Sequence, residues 1–218
     1  MRRVFVDPEF PQRDAIQEAA KWIRAGGVVA LPTDTLYGLA ADPFSAAAVA
    51  RVFAVKGRAA ERALPLIAAD AAQVMTHLGR LPALGQRLAE RFWPGPLTLL
   101  LPAPAALAAD VTGGTGKVGV RVPADPVARA ICAEAGQPIT ATSANVSGEP
   151  ATADPGVVER TLGDRLDLLI DTGTTRGGAP STIVDATGAA LVLLRAGAIS
   201  WEEIQACLHS VPAPRPAR

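Results

Sequence analysis

The alternation of apolar and polar positions divides this chain into short helices and strands in mixed order. Over residues 14–24, Ile16, Ala19, Ala20 and Ile23 recur at helical spacing, and Gly26-Gly27 stop the run. The continuous apolar stretch Val28-Val29-Ala30-Leu31 reads as a buried strand. Ser45 is placed to cap a helix running to Lys56, with Val49, Val52 and Phe53 facing inward. A short strand is expected over 64–68, and a helix over 83–91 that Trp93-Pro94-Gly95-Pro96 ends. Residues 97–101 and 118–122 read as strands, and Asp125-Pro126 supplies a cap and a first-turn proline for a helix to Glu134. Residues 138–141 lead into Thr142-Ser143-Ala144-Asn145. Later strands are expected over 168–170, 182–184 and 190–194, and Ser200 with Glu203 forms a capping box for a last helix.

Strands and helices mixed without strict alternation point to one α/β domain around a twisted, mixed β-sheet flanked by helices. The domain is expected over residues 1–208, with 209–218, rich in proline, alanine and arginine, as a disordered tail. No internal repeat and no linker divides the chain. Hydrophobic residues make up 49% and aromatics only 4%, so Ala, Val and Leu must fill the core. With 21 basic and 21 acidic residues the net charge is zero, which argues against a general polyanion binder. Cys132 and Cys207 lie far apart outside any C-x-x-C, so a reduced, cytoplasmic setting without a structural disulfide is expected. The two arginines at the N-terminus lack the apolar stretch of a signal peptide, and no run approaches the ~20 residues of a membrane helix. The two histidines, His77 and His209, have no ligand-spaced companions, so no protein-built metal site is expected.

Polar residues collect at the ends of the expected elements, where open α/β sheets place ligands. The densest group is Thr33-Asp34-Thr35 with Tyr37, bracketed by Pro32 and Gly38. Lys56 and Arg58, followed by Arg62, end a helix. They are suited either to its dipole or to a polyphosphate, for which arginine offers a planar fork and lysine a point charge. Arg121 interrupts an apolar strand, so it sits on an exposed edge or faces a cleft where it captures a carboxylate or phosphate. Ser143 and Asn145 fall in what reads as an ordinary turn, and Ser181-Thr182 and Arg195 at strand ends. There is no G-x-S-x-G elbow, no P-loop, and no assignable carboxylate pair, catalytic histidine or activated cysteine. Any chemistry here must rely on positioning and charge stabilisation.

The order of the motifs carries a resemblance. Pro32-Thr33-Asp34-Thr35-Leu36-Tyr37-Gly38-Leu39 is followed by Lys56-Gly57-Arg58, then by Trp93-Pro94-Gly95-Pro96-Leu97-Thr98 and Val120-Arg121-Val122-Pro123. Ser143-Ala144-Asn145-Val146-Ser147-Gly148, Pro180-Ser181-Thr182-Ile183-Val184-Asp185 and Leu194-Arg195-Ala196-Gly197 complete the series. Over residues 14–200 this resembles the YrdC family, the L-threonylcarbamoyl-AMP synthases. The resemblance implies a deep concave cavity and a nucleotidyl transfer. L-Threonine, bicarbonate and ATP, with magnesium accompanying the ATP, would give threonylcarbamoyl-AMP and pyrophosphate. Partner proteins would then pass the group to an adenosine beside the anticodon of tRNA.

Carried over residue by residue, the resemblance implies Thr35, Arg121, Ala141 and Ser181 at the threonine. It puts Lys56, Arg58, Arg62, Lys117, Ser143, Asn145 and Arg195 at the ATP, with Lys56 and Arg58 offsetting charge on the phosphates. Three departures stand out: Ala59 where many relatives have proline, Arg62 where many have asparagine, and Ile67 where some carry a histidine near the threonine. The length resembles the short form, without a further C-terminal domain. Two other readings are a non-catalytic RNA-binding module and the carbamoyl-adenylate-forming domain of hydrogenase maturation.

Overall fold

The computed structural model describes residues 1–57 and 63–209. The expected tail thus falls, apart from the backbone of His209, outside the described residues. So do Arg58, Ala59 and Arg62. Among the described residues the chain forms β1 (Arg2–Phe5), α1 (Arg13–Arg24), β2 (Val29–Leu31), β3 (Gly38–Ala40), α2 (Ala46–Lys56) and β4 (Leu66–Ile67). Next come α3 (Ala71–Leu78), α4 (Ala83–Phe92), β5 (Leu97–Pro102), β6 (Lys117–Arg121), α5 (Pro126–Ala135), β7 (Ile139–Thr140) and β8 (Thr142–Ser143). The last elements are α6 (Pro155–Leu162), β9 (Leu168–Asp171), β10 (Thr182–Asp185), β11 (Val192–Arg195) and α7 (Trp201–His209).

The local signals act as expected. Ser45 Oγ accepts the Ala48 N–H and the Asp125 carboxylate accepts that of Ala128, starting α2 and α5. Ser200 and Glu203 bond reciprocally at the start of α7. The Asp70 and Asp154 carboxylates accept the Gln73 and Gly156 N–H and so cap α3 and α6, two helices that the apolar periodicity left undetected because each has only eight residues. Gly57 adopts φ 60° at the end of α2, a left-handed conformation that costs glycine no Cβ clash.

The domain is α/β as expected, but its strands form two mixed sheets rather than one. The first runs β1-β9-β2-β3-β8 and the second β11-β10-β5-β6-β4-β7. β2 reverses directly into antiparallel β3, and the chain then crosses through α2 to β4 in the second sheet. β1, β3 and β8 were not anticipated; Thr142 and Ser143, read as part of a turn, are drawn into a strand by pairing with β3. β1 exists because it pairs in parallel with β9, a partner more than 160 residues away in sequence.

Three apolar clusters hold the layers together. α1 and α5 pack on one face of the first sheet through Ile16, Ala19, Ala20, Ile23, Val127 and Ile131, against Val29, Leu31, Leu168 and Ile170. Its other face, through Ala30, Leu39 and Leu169, joins α2, α3 and α6 and the inner residues of β6. α4 and α7 cover Leu97, Leu99 and Val184 of the second sheet. Because β2 is buried on both faces, its sequence shows a continuous apolar run rather than an alternation. Cys132 and Cys207 form no disulfide, and no helix among the described residues is long and apolar enough to cross a membrane.

The backbone just after β11 closes tightly on the start of β10. A Cβ on Gly197 would lie 2.3 Å from the Pro180 carbonyl oxygen and 2.6 Å from Ser181 C and Thr182 N. Those neighbours are main chain and cannot rotate away. Gly197→Ala is therefore expected to lower the unfolding free energy by about 3 kcal/mol, measured by chemical denaturation.

Candidate active site

Side chains along a strand alternate between its two faces, and in β5, β6 and β10 that alternation builds a wall. Leu97, Leu99, Leu101, Val118, Val120 and Val184 face the apolar clusters. The intervening residues line a cavity of about 440 Å³: Thr98 and Leu100 of β5, Lys117, Gly119 and Arg121 of β6, and Ile183 of β10, with Ser181 just before it. Gly119 keeps this floor low, since a Cβ there would stand 3.2 Å from Thr98 Cγ2. The opposite wall is the turn from Thr33 to Tyr37 with Gly38 of β3, joined by Ala141, Thr142 and Ser143. β3 and β8 are paired with Gly38 opposite Ser143, which joins these two pieces of the wall.

The threonine-rich turn is braced from within. Thr33 Oγ1 donates to the Leu36 carbonyl at 2.7 Å, accepts the Thr35 N–H at 3.2 Å, and lies 3.1 Å from Thr35 Oγ1. Thr175 Oγ1 donates to the Thr35 carbonyl at 2.7 Å. The Tyr37 hydroxyl donates to Gly173 O at 2.8 Å and accepts from Thr172 N, which ties the turn to the segment after β9. Burial raises the Tyr37 pKa, so the phenol stays protonated and keeps donating.

Arg121 is only 7% exposed. Its Nη1 lies 3.1 Å from Asp34 Oδ1, yet the approach is off-line, and both atoms are buried without a hydrogen-bond partner. Burial pulls the Arg121 pKa down, against the opposing effects of Asp34 and Asp125, although a guanidinium stays charged. A buried fork of donors left unused is prepared for an anion that brings two acceptor oxygens. The exposed-edge reading of Arg121 is thus replaced by the cleft reading. Arg195 enters the same cavity, with its Nε and Nη2 donating to Ser181 O at 3.1 and 2.7 Å and Nη2 also to Ser181 Oγ at 3.0 Å. Burial and then repulsion from Arg121 lower its pKa, so two like charges confront one space. Ser181 Oγ is also 2.8 Å from Thr98 Oγ1. Lys117 Nζ sits 2.6 Å from Asp185 Oδ2. Burial by itself would raise Asp185, but hydrogen bonds from Lys117 and Thr187 hold it below the usual carboxylate range.

The structure thus brings Thr35, Lys117, Arg121, Ala141, Ser143, Ser181 and Arg195 to one cavity. Lys56 and Asn145 are not among its lining residues. The Lys56 ammonium, 2% exposed, donates to Ser143 O at 2.5 Å, Asn145 O at 3.0 Å and Asn145 Oδ1 at 3.2 Å. The Asn145 amide donates onward to Val146 O and Glu149 O, and Ser143 Oγ donates to Asn145 Oδ1. These contacts make Lys56 the brace of the turn that carries Ser143. Arg58 and Arg62 lie outside the described residues. Ile67 stands beside Arg121 across the β4–β6 pairing and lines the cavity, with no histidine there. Thr98, Gly119 and Asp185 had no assigned role in the sequence reading. Thr98 was legible as the one polar residue in the Leu-rich strand 97–101.

The family model for Sua5, YciO and YrdC, described as telomere recombination, matches residues 21–197. This chain belongs to that family. A threonylcarbamoyl-AMP synthase of Pyrococcus abyssi is 39% identical over 90% of this chain and 58% of its own length. One of Bacillus subtilis is 39% identical over 96% of this chain and 62% of its own. The crystal structure of P. abyssi Sua5 complexed with L-threonine superposes with a TM-score of 0.90 at 38% identity, over 96% of this chain and 61% of that one. The chain therefore spans about three fifths of the length of these relatives.

The contrast between the buried and the rim cation is testable. Lys56→Met removes the buried hydrogen bonds to Ser143 O, Asn145 O and Asn145 Oδ1 and is expected to lower the unfolding free energy by about 3 kcal/mol. Lys117→Met, which breaks a partly exposed pair, is expected to lower it by less than about 1 kcal/mol, both by denaturant titration.

Proposed function

We propose that this chain is an L-threonylcarbamoyl-AMP synthase, a nucleotidyltransferase that joins L-threonine, bicarbonate and ATP and releases pyrophosphate. The observation that carries the reading is Arg121: a buried guanidinium with unused donors, facing a cavity that other cations share. That arrangement suits an amino-acid carboxylate at one point and phosphates at another. The L-threonine complex of a 38% identical Sua5 supports the choice of amino acid.

In this reading Arg121 holds the threonine carboxylate. Thr35, Ala141 and Ser181 surround the amino acid, with Ile67 as an apolar neighbour where some relatives carry a histidine. The threonine amine attacks the carbon of bicarbonate, water leaves, and a carbamate forms. A carbamate oxygen then attacks the α-phosphorus of ATP, the bond to the β-phosphate oxygen breaks, and pyrophosphate departs with the electron pair. Negative charge grows on the phosphates through this step. Arg195, Lys117, Ser143 and, beyond the described residues, Arg58 and Arg62 are the groups to offset it. Lys56 and Asn145 act by fixing the Ser143 turn.

Magnesium enters as part of the substrate, MgATP, carrying phosphate and water as ligands. Among the described residues no cluster of three or more His, Cys, Asp or Glu is arranged to hold a metal. The product is a mixed anhydride, so partner proteins that pass the threonylcarbamoyl group on to tRNA, in a reducing cytoplasm, complete the proposal.

Pyrophosphate release from ATP is expected only when L-threonine and bicarbonate are both present. Release with carbamoyl phosphate in their place would instead indicate carbamoyl-adenylate chemistry. Arg121→Ala is expected to raise KM for L-threonine at least tenfold, about 1.4 kcal/mol or more, with KM for ATP nearly unchanged. Arg58→Ala should show the reverse pattern, with weakened ATP binding.

A further inference from the structure

The Asp34 carboxylate has no role in shaping its own turn. The side-chain bonds within the turn are made by Thr33, whose Oγ1 accepts the Thr35 N–H and donates to Leu36 O. Thr175 and Tyr37 brace the same turn from outside. What Asp34 contacts is Arg121, at 3.1 Å and off-line, with Oδ1 and Nη1 both buried and neither hydrogen-bonded. Two groups this close, able to make a strong charge-assisted bond, remain out of line. The second carboxylate near Arg121, Asp125, is already engaged as the cap of α5, accepting the Ala128 N–H at 2.8 Å. The like-charged neighbour, Arg195, is anchored on Ser181.

We propose that Asp34 is an internal stand-in for the substrate carboxylate. It balances the buried charge of Arg121 in the substrate-free protein and gives up the guanidinium when the amino acid binds. A buried guanidinium without any counter-charge would strongly destabilise the fold, so a resident anion is required. A resident anion in ideal bidentate geometry would shut the substrate out. The off-line contact meets both demands. It gives the charge an electrostatic partner while leaving the directed donors for the ligand. The consequence is a binding site deliberately weakened by its own counter-ion, with threonine affinity set by the difference between two carboxylates.

This inference rests on Arg121 being the carboxylate anchor, and the test separates the two. Calorimetric affinities of L-threonine and of L-threoninol, which lacks the carboxylate, are measured for the wild-type protein and for Asp34→Asn. The anchor reading requires the wild type to prefer L-threonine; equal affinities overturn that reading and the inference with it. Given that preference, Asp34→Asn is expected to bind L-threonine about tenfold more tightly, because the ligand becomes the main counter-charge, with L-threoninol affinity unchanged. The substrate-free variant should melt below wild type and gain more in Tm on adding L-threonine. Unchanged or weaker L-threonine binding overturns the proposal, as does an equal loss for both ligands, which would instead place the threonine ammonium on Asp34. If Asp34→Asn does not fold, Asp34→Ser removes the same charge, and the same Tm gain on L-threonine decides.

Discussion

Every second residue of β5, β6 and β10 has to face the apolar clusters for the second sheet to pack, and this constraint organises the molecule. It sends Leu97, Leu99, Leu101, Val118, Val120 and Val184 inward and leaves Thr98, Leu100, Lys117, Gly119, Arg121 and Ile183 on the other face. The cavity is what lies over that second face once the turn from Thr33 to Tyr37 and the β8 segment close against it. A one-residue slip of β6 against β5 would move Arg121 into the core and Val120 into the cavity, so core packing and site geometry enforce the same register.

The site gains its character from charges placed where water is scarce. Arg121 and Arg195 repel one another across the cavity, and each is steadied differently: Arg121 by the off-line carboxylate of Asp34, Arg195 by three hydrogen bonds to Ser181. Low dielectric makes each of these contacts stronger than it would be at the surface, and makes an unpaired charge correspondingly costly. The cavity thus gathers positive charge where an anionic ligand would meet little competing water. Lys56 belongs to the same scheme, its ammonium holding the segment that bears Ser143.

Family membership and local chemistry agree without duplicating one another. The matched region, residues 21–197, contains the whole lining of the cavity among the described residues. Ile67 stands beside Arg121 in the β4–β6 pairing, so the cavity has an apolar wall next to its buried guanidinium.

What the sequence determined by itself was local. The α1 stripe, the Ser45, Asp125 and Ser200 caps, and the strands around Leu31, Leu99 and Val120 all depend on interactions spanning a few residues, and these are written in consecutive positions. Motif order also announced most of the cavity-lining residues, because they recur as polar interruptions at the ends or alternate positions of apolar strands. Tertiary structure decided the rest. Two sheets rather than one, and the strand β1, follow from pairings between segments far apart in the chain, such as β5 with β10 and β1 with β9, that no local pattern encodes. Whether a lysine at a helix end meets a phosphate or a carbonyl depends on what packs beside it. For Lys56 the neighbour is the 143–145 turn, 87 to 89 residues away. The pairing of Arg121 with Asp34 was equally hidden, since a buried charge states its need for a partner in sequence but only the fold chooses which one.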